Sequence, residues 1–369
     1  MEYQLKRYNT SRIKRRDFLK VIGLGAIGVS INPWRDLLKL GDFPDAERLG
    51  RVCVGMVEIK LKPDYDSQTV GVLYEDAVQP WLREIIGHWP WRNNQRWVET
   101  PDGYIWAPYL QPVKNLPNIP LKTLPRVNDG EGMWVEVTVP YVDAVLKNPP
   151  ARSRWLRYRL EHGLPPRMYY SQILWVDENK KDDQGNIWYR INERYGNPGD
   201  IFWVRGEACR PITKEEVEPI HPNVENKRVV IDVNYGVQTL SCSEDDKEVY
   251  FCRISSGVGD GSTPITPYGT NGFPIWRKLF SVHMAGGTNA DGWDLPGIGW
   301  TSLFVGEGVA IHSTFWHNNF GEPMSHGCVN TKPDDAKWVF RWVQPPVPYD
   351  SGDITISGSG STRIIVKQW

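Results

Sequence analysis

The chain has 369 residues, enough for two or three domains. Its net charge is −1, with 43 basic and 44 acidic residues, so composition gives no electrostatic basis for binding nucleic acid. The 34 glycines and 29 prolines favour many turns and short strands over long helices, so a mainly β fold is expected.

The first 44 residues are predicted to be a targeting segment and linker. The basic run at 14–20 contains Arg15 and Arg16 and resembles the twin-arginine export signature. The apolar stretch that follows, 21–31, is short and glycine-rich for a bilayer span, so it favours a signal peptide. The alternative is a basic tail. Export is therefore expected, with membrane contact only through this segment if it stays uncleaved.

Residues 45–113 and 134–215 look like two diverged copies of one small β unit, joined by a proline-containing linker at 114–133. Each copy has a strand, a proline-containing loop, a strand bearing tryptophan, and then a turn and an aromatic strand. This pattern resembles bacterial SH3-like β-barrels, which often accompany cell-wall enzymes. Two small SH3-like modules are the predicted fold of this region.

The aromatic residues of these units have two interpretations, core packing or a platform for a ligand. Core packing is favoured because aromatic side chains fit the half-buried faces of strands. The residues concerned are Trp97, Trp106, Trp188 and Trp203. The charged run at 152–157 is predicted to be a solvated helical face.

Near the C-terminus a cysteine and two histidines fall within one short region. His312 and Ser313 are followed by Ser-His-Gly-Cys-Val-Asn at 325–330. A thiol needs a neighbouring base to become a nucleophile, and an imidazole is the usual base near neutral pH. Gly327 leaves the backbone beside the sulfur of Cys328 open, so its N–H is expected to help stabilise an oxyanion.

A helix is predicted directly after the cysteine. Thr331 with Asp334 is typical of an N-cap with an acidic residue in the first turn. Apolar residues then recur at helical spacing until two prolines end the pattern, at Ala336, Val339, Phe340, Val343, Pro345 and Pro346. The dipole of this helix is expected to favour the thiolate of Cys328.

These motifs resemble the YkuD-type L,D-transpeptidase catalytic domain, a family of peptidoglycan cross-linking enzymes. The family signature is His-Gly or His-Ser, a loop, and Ser-His-Gly-Cys followed by a hydrophobic residue and Arg or Asn. Asn330 departs from the commoner arginine. Upstream, 229–233 and 255–257 resemble the family's strands, and 266–269 resembles its Thr-Pro-x-Gly turn. The resemblance covers 222–369 and implies a mostly-β catalytic domain there.

The resemblance implies an exported L,D-transpeptidase that acts on peptidoglycan stem peptides at the cell envelope or cell wall, without a cofactor. Cys328 would attack the amide after the third stem residue and form a thioester, and His312 would act as general base. Ser313 would orient His312, a role that a backbone carbonyl often plays in this family. His326 and the N–H groups of Gly327 and Cys328 would surround the oxyanion.

Four residues near the motif are predicted to line the donor groove, with core packing as an equal alternative for each. They are Met284, Trp300, Trp316 and Asn330. Every residue assigned to the chemistry lies after position 222. The C-terminal segment is therefore expected to react with a carbapenem without the preceding modules.

Other functions and another kind of site remain as alternatives. Water as acceptor would make the protein an L,D-carboxypeptidase, and loss of activity would leave a wall-binding scaffold. A zinc site is the alternative use of His283, His312, His317, His326 and Cys328. No Cys-x-x-Cys or His-Glu-x-x-His spacing supports zinc, so no metal is predicted. Five cysteines leave at least one thiol unpaired, and Cys328 has the chemical reason to stay free.

Overall fold

Short β-strands make up most of the structure, a computed structural model that describes residues 40–128, 130–259, 261–287, 292–306, 308–357 and 360–368. The mainly β fold predicted from composition is confirmed. The predicted signal peptide lies outside the described residues. The residues from Leu40 onward form one compact unit. In the described part of the chain, no helix is long and apolar enough to cross a bilayer.

The first β unit has its apolar residues on the inner faces of two sheets. Its strands are β1 (Leu49–Val52), β2 (Met56–Lys60), β3 (Thr69–Tyr74), β4 (Val78–Pro80), β5 (Arg83–Ile86), β6 (Arg96–Thr100), β7 (Gly103–Trp106) and β8 (Leu110–Val113). The strand orders are β4-β1-β8 and β3-β2-β7-β6-β5. Trp97 lies opposite Trp106 on neighbouring antiparallel strands, and both side chains are buried. Their interpretation as core residues is confirmed.

The predicted linker at 114–133 lies against the second unit. It contains a small hairpin of β9 (Arg126–Val127) and β10 (Gly130–Glu131). The backbone N–H of Leu116 donates to the Thr138 carbonyl at 2.9 Å, and Leu124 is buried in the core of the second unit. These contacts hold the segment as part of the folded body.

The second β unit is one sheet with a helix inserted after its second strand. Its elements are β11 (Met133–Val137), β12 (Tyr141–Leu146), α1 (Arg154–Glu161), β13 (Arg167–Tyr169), β14 (Ile173–Lys181), β15 (Ile187–Ile191), β16 (Phe202–Arg205) and β17 (Cys209–Pro211). The strand order is β13-β12-β16-β15-β14-β11-β17. Trp188 and Trp203 are buried, as predicted.

Both β units have the same strand order. The strands β4 and β5 of the first unit together correspond to the long β14 of the second. With that equivalence, the orders β3-β2-β7-β6-β5 and β4-β1-β8, placed end to end, match the strand order of the seven-stranded sheet. A shared order of this kind supports our proposal that the two units are copies of one module. Their SH3-like character stays a prediction.

The C-terminal segment consists of two five-stranded sheets and a helix. Its elements are β18 (Lys227–Asp232), β19 (Thr239–Glu244), β20 (Lys247–Arg253), β21 (Phe273–Pro274), β22 (Arg277–Gly287), β23 (Gly292–Val305), β24 (Val309–Ser313), β25 (Val329–Thr331), α2 (Pro333–Trp342), β26 (Asp353–Thr355) and β27 (Arg363–Lys367). The orders are β20-β19-β18-β27-β21 and β25-β24-β23-β22-β26. Val229, Ile311, Val329 and Val339 belong to the core between them.

The N-cap of helix α2 lies one residue later than predicted. Lys332 is the N-cap and Pro333 the first helical residue, where a missing N–H costs nothing. The prediction of Thr331 was wrong because its hydroxyl donates to the His312 carbonyl at 3.0 Å and Thr331 itself extends β25. The buried face of α2 contains Ala336, Val339 and Phe340, as predicted.

Candidate active site

Two neighbouring strands place His312 beside the cysteine motif. β24 pairs with β25 in parallel, so that Ile311 lies opposite Val329 and His312 opposite Asn330. Cys328 directly precedes β25. His312 and Cys328 line the same cavity, whose volume is about 1340 Å³. Strand pairing, rather than closeness in sequence, therefore brings the candidate base and nucleophile together.

The glycine before the cysteine is required by the backbone. Gly327 has φ +144°, and a Cβ there would lie 2.7 Å from the Ser262 carbonyl oxygen. Its N–H donates to the Ser325 hydroxyl at 3.1 Å, and that hydroxyl donates to the Cys328 carbonyl at 2.6 Å. The Gly327 N–H is therefore used to form the turn, which corrects its predicted role at an oxyanion. The N–H of Cys328 remains the motif's candidate backbone donor.

His312 is held in one tautomer by the backbone. Its Nδ1 lies 2.9 Å from the Ser313 carbonyl oxygen, which can only accept, so Nδ1 carries the proton and Nε2 is left as the basic atom. The Ser313 hydroxyl instead accepts a hydrogen bond from the Gly299 N–H at 3.1 Å. The carbonyl of Ser313, not its side chain, orients the imidazole.

Both candidate catalytic groups are neutral at rest. Burial raises the pKa of the Cys328 thiol to about 11, against a smaller opposite effect of a backbone hydrogen bond from Ala310. Burial lowers the pKa of His312 to about 4, and the hydrogen bond to the Ser313 carbonyl only partly offsets this. Burial thus acts against the thiolate predicted at a helix N-terminus, and β25 and Lys332 lie between Cys328 and α2 along the chain.

A second buried histidine supports Asn330. The Asn319 N–H donates to Nδ1 of His317 at 3.2 Å, and Nε2 of His317 lies 2.9 Å from the Asn330 amide. Burial lowers the pKa of His317 to about 3, so the ring is neutral and Nε2 carries its proton. That proton needs an acceptor, which the Asn330 Oδ1 supplies when the amide is turned to face it. The nearer amide atom in this structure is Nδ2, so this hydrogen bond requires the Asn330 amide to be flipped.

The five residues of the zinc alternative are not gathered as ligands. Both ring nitrogens of His283 are engaged by Glu193 and Asp294, at 2.8 and 2.5 Å. His317 is engaged as described. Among the described residues, no group of three or more His, Cys, Asp or Glu side chains has a metal-binding arrangement.

Three of the four predicted groove residues line the cavity. Met284, Trp316 and Asn330 contribute to its wall, as does the exposed His326, whose ring stacks on Trp293 at 4.4 Å. Trp300 does not. Its indole is buried between Phe280 and Phe340, with ring centroids at 5.7 and 5.5 Å, in the core beneath α2. Its assignment to the groove is corrected to core packing.

Sequence reasoning missed a contribution from the second β unit. Residues of α1, which was predicted to be only a solvated face, line the same cavity: Arg154, Trp155, Arg157, Tyr158 and Glu161. The Trp155 N–H donates to the Asp294 carboxylate on β23 at 2.6 Å. No local signal in the sequence identifies this contact, since the two residues are 139 positions apart.

The loop between β24 and β25 is held by the first β unit. The Arg51 guanidinium donates to the Phe315 carbonyl at 2.7 Å and pairs with Asp76 at 2.7 Å. The Asn318 amide donates to the Ala107 carbonyl at 3.2 Å. Both β units therefore contact parts of the candidate site.

Comparisons with known proteins agree with the motifs. Residues 227–365 match the sequence model of YkuD, the L,D-transpeptidase catalytic domain. No curated protein matches the chain. Similar solved structures include a mutant L,D-transpeptidase of Enterococcus faecium, 25% identical over 40% of this chain and 52% of its own, with a TM-score of 0.28. This chain thus spans about half the length of that protein.

Two mycobacterial structures are also similar. An L,D-transpeptidase from Mycobacterium smegmatis is 18% identical over 49% of this chain and 90% of its own, with a TM-score of 0.28. L,D-transpeptidase 3 from Mycobacterium tuberculosis is 16% identical over 68% of this chain and 98% of its own, also with a TM-score of 0.28. The family match, not these low scores, supports the resemblance: residues 227–365 match the YkuD-type L,D-transpeptidase catalytic domain, as the motifs predict.

Proposed function

We propose that this protein is an exported L,D-transpeptidase that cross-links peptidoglycan stem peptides through a thioester on Cys328. The observation that carries the proposal is the shared cavity of His312 and Cys328, with the imidazole held by the Ser313 carbonyl so that Nε2 is the free base. The YkuD match over 227–365 supports the same chemistry.

The neutral resting pair sets the order of events. With a thiol pKa of about 11 and an imidazole pKa of about 4, the ion pair is not populated at rest, so the proton moves as the sulfur attacks. Nε2 of His312 takes the thiol proton while Sγ bonds to the carbonyl carbon. The Cys328 N–H and His326 are the proposed donors to the oxyanion. His312 then protonates the leaving amine, and the thioester remains.

The second half-reaction uses the same groups. An amine from another stem peptide gives its proton to His312 and attacks the thioester carbonyl. The C–S bond breaks, the proton returns to sulfur, and the cross-link is released. A cavity of about 1340 Å³ exceeds the roughly 300–1,000 Å³ of ordinary ligand sites, so it has room for donor and acceptor together.

Mass spectrometry of the full chain tests the proposal. We expect a carbapenem to acylate Cys328, and a tetrapeptide donor with an amine acceptor to give a cross-linked dimer. Cys328→Ser should lose both products, whereas Cys53→Ser, which changes another partly buried free thiol, should keep them. Release of the terminal residue without a dimer would indicate a carboxypeptidase. Cross-linking by Cys328→Ser at the wild-type rate would exclude the thiol mechanism.

A further inference from the structure

Helix α1 forms one wall of the cavity that contains Cys328, although it belongs to the second β unit. The helix is capped by Ser153, whose hydroxyl accepts a hydrogen bond from the Leu156 N–H at 3.1 Å. The Asp200 carboxylate accepts from the Arg152 and Ser153 N–H groups at 2.8 and 2.7 Å. The helix therefore begins at a fixed place in its own unit.

A buried chain of charges fastens the same helix end to the catalytic strands. Asp294 of β23 accepts the Trp155 N–H at 2.6 Å and contacts His283 of β22 at 2.5 Å. His283 contacts Glu193 at 2.8 Å, and Glu193 accepts the Gly297 N–H at 2.7 Å. Buried charges need such partners, so the position of α1 relative to β22 and β23 is specified. The wall that α1 forms is a built part of the cavity.

The charges on this wall differ from those on the rest of the cavity. Among its described lining residues, the catalytic strands and loops supply no arginine or lysine, and their charged residues His283 and Asp294 satisfy each other. Arg154 and Arg157 lie one helical turn apart on α1 and are exposed. Glu161, one turn further on, is the only acidic residue that α1 contributes. The arginine side chains among the described lining residues therefore come from α1.

We propose that Arg157, with Arg154 beside it, binds a carboxylate of the donor stem peptide and so determines which donors reach Cys328. The inference rests on the proposed function, since it names the chemistry of its donor. A guanidinium and a carboxylate form paired charge-assisted hydrogen bonds, which fix orientation as well as add affinity. Two carboxylates are candidates, namely that of the leaving terminal residue and one on the side chain of the third residue.

Steady-state kinetics of the full chain test this with matched donors. One tetrapeptide has both carboxylates free, a second has its terminal carboxylate as an amide, and a third has its side-chain carboxylate as an amide. Arg157→Gln should raise KM for the free donor by roughly tenfold, the size of one charge-assisted hydrogen bond at an exposed site, with little change in kcat. Arg157→Lys should recover part of the loss.

The amide donors identify which carboxylate is bound. For the donor in which the bound carboxylate is replaced by an amide, the wild-type KM should already be raised. Arg157→Gln should not raise the KM for that donor any further. Arg152→Gln is the control, because Arg152 precedes the helix and does not line the cavity. Equal KM values for wild type, Arg157→Gln and Arg152→Gln with all donors would overturn the inference while leaving wild-type turnover intact. No product from the wild type with any donor would instead overturn the proposed function, and the inference with it.

Discussion

At the scale of single residues, the site depends on groups whose neighbours keep them neutral. His312 and His317 are both buried, and burial lowers the pKa of each, yet their environments differ. His312 lines the cavity with Nε2 available, whereas both nitrogens of His317 are occupied by Asn319 and Asn330. Replacing His312 should therefore affect catalysis, whereas replacing His317 should affect stability.

His312→Ala should lower kcat for cross-linking by about 10²–10⁴, because one group supplies both proton transfers. His317→Ala should instead lower the free energy of unfolding by about 1–3 kcal/mol, since it leaves the buried Asn330 amide without its partner. Kinetics and urea denaturation of both variants separate the effects. Equal losses of kcat in two folded variants would show that the base has been assigned to the wrong residue.

The pH dependence of the wild type follows from the lowered pKa of His312. The base must be neutral, and with a pKa of about 4 it stays neutral down to that pH. We therefore expect kcat/KM to hold its value between pH 7 and pH 5 and to fall below about pH 4, as His312 takes up a proton. A fall centred near the ordinary histidine pKa of about 6.5 would contradict this assignment.

At the scale of elements, the contact between α1 and the catalytic strands depends on a protonated histidine. Asp294 and Glu193 raise the pKa of His283 to about 9, although burial acts in the opposite direction. The folded state thus holds the proton more tightly than the unfolded state, whose histidine has a pKa of about 6.5. The stabilisation is fully present below pH 6.5 and is lost as the pH rises through 9.

Replacing this histidine should remove that pH dependence. The difference in free energy of unfolding between wild type and His283→Gln should be larger at pH 6 than at pH 9.5 by about 3 kcal/mol, the equivalent of the shift from 6.5 to about 9. Urea denaturation at the two pH values measures it. A difference that does not change with pH would mean that His283 is neutral between its two carboxylates.

At the scale of the whole molecule, the β units are parts of the active-site region rather than spacers. Arg51 and Ala107 of the first unit hold the loop that follows β24. The second unit supplies α1 and Glu193. Residues on both sides of position 222 therefore contribute to one cavity and its supports, which argues against the expectation that the C-terminal segment suffices.

Truncation tests this directly. A fragment of residues 222–369 should be acylated by a carbapenem more slowly than the full chain and should unfold at a lower temperature, because it lacks α1 and the contacts of Arg51. A fragment of residues 40–369 is the control, since it keeps every described contact. Mass spectrometry over time and thermal denaturation provide the readouts. If the shorter fragment is acylated at the full-chain rate, the β units do not contribute to acylation and act as spacers.

Export also concerns the whole molecule. Arg15 and Arg16 followed by an apolar stretch predict that the protein crosses the membrane already folded. A reporter fused to the first 44 residues should stay in the cytoplasm when both arginines are replaced by lysine. Arg12→Lys, outside the pair, should leave export unchanged. Export of the double variant would indicate the general secretory route.

The sequence by itself determined those features of the candidate site that depend on residues close together along the chain. A thiol after glycine, an upstream histidine and the apolar spacing of α2 are local patterns in the sequence. Glycine is needed at position 327 because its φ is +144° and a Cβ there would clash with the Ser262 carbonyl. The burial of the strand-borne tryptophans followed in the same way, because aromatic side chains fit the half-buried faces of strands. The mainly β class and the catalytic family therefore follow from residue patterns along the chain.

Only the tertiary structure decided which distant groups meet. The Gly327 N–H donates to the Ser325 hydroxyl, and the Thr331 hydroxyl donates to a carbonyl of β24. The Trp300 side chain packs in the core under α2. The wall that α1 places over the cavity depends on Asp294, whose partner is 139 positions away along the chain. Such contacts follow from how sheets and helices pack, and residue type alone does not specify the partner. The same arginine-rich run would be a solvated face in isolation, and it lines a cavity where Trp155 donates to Asp294.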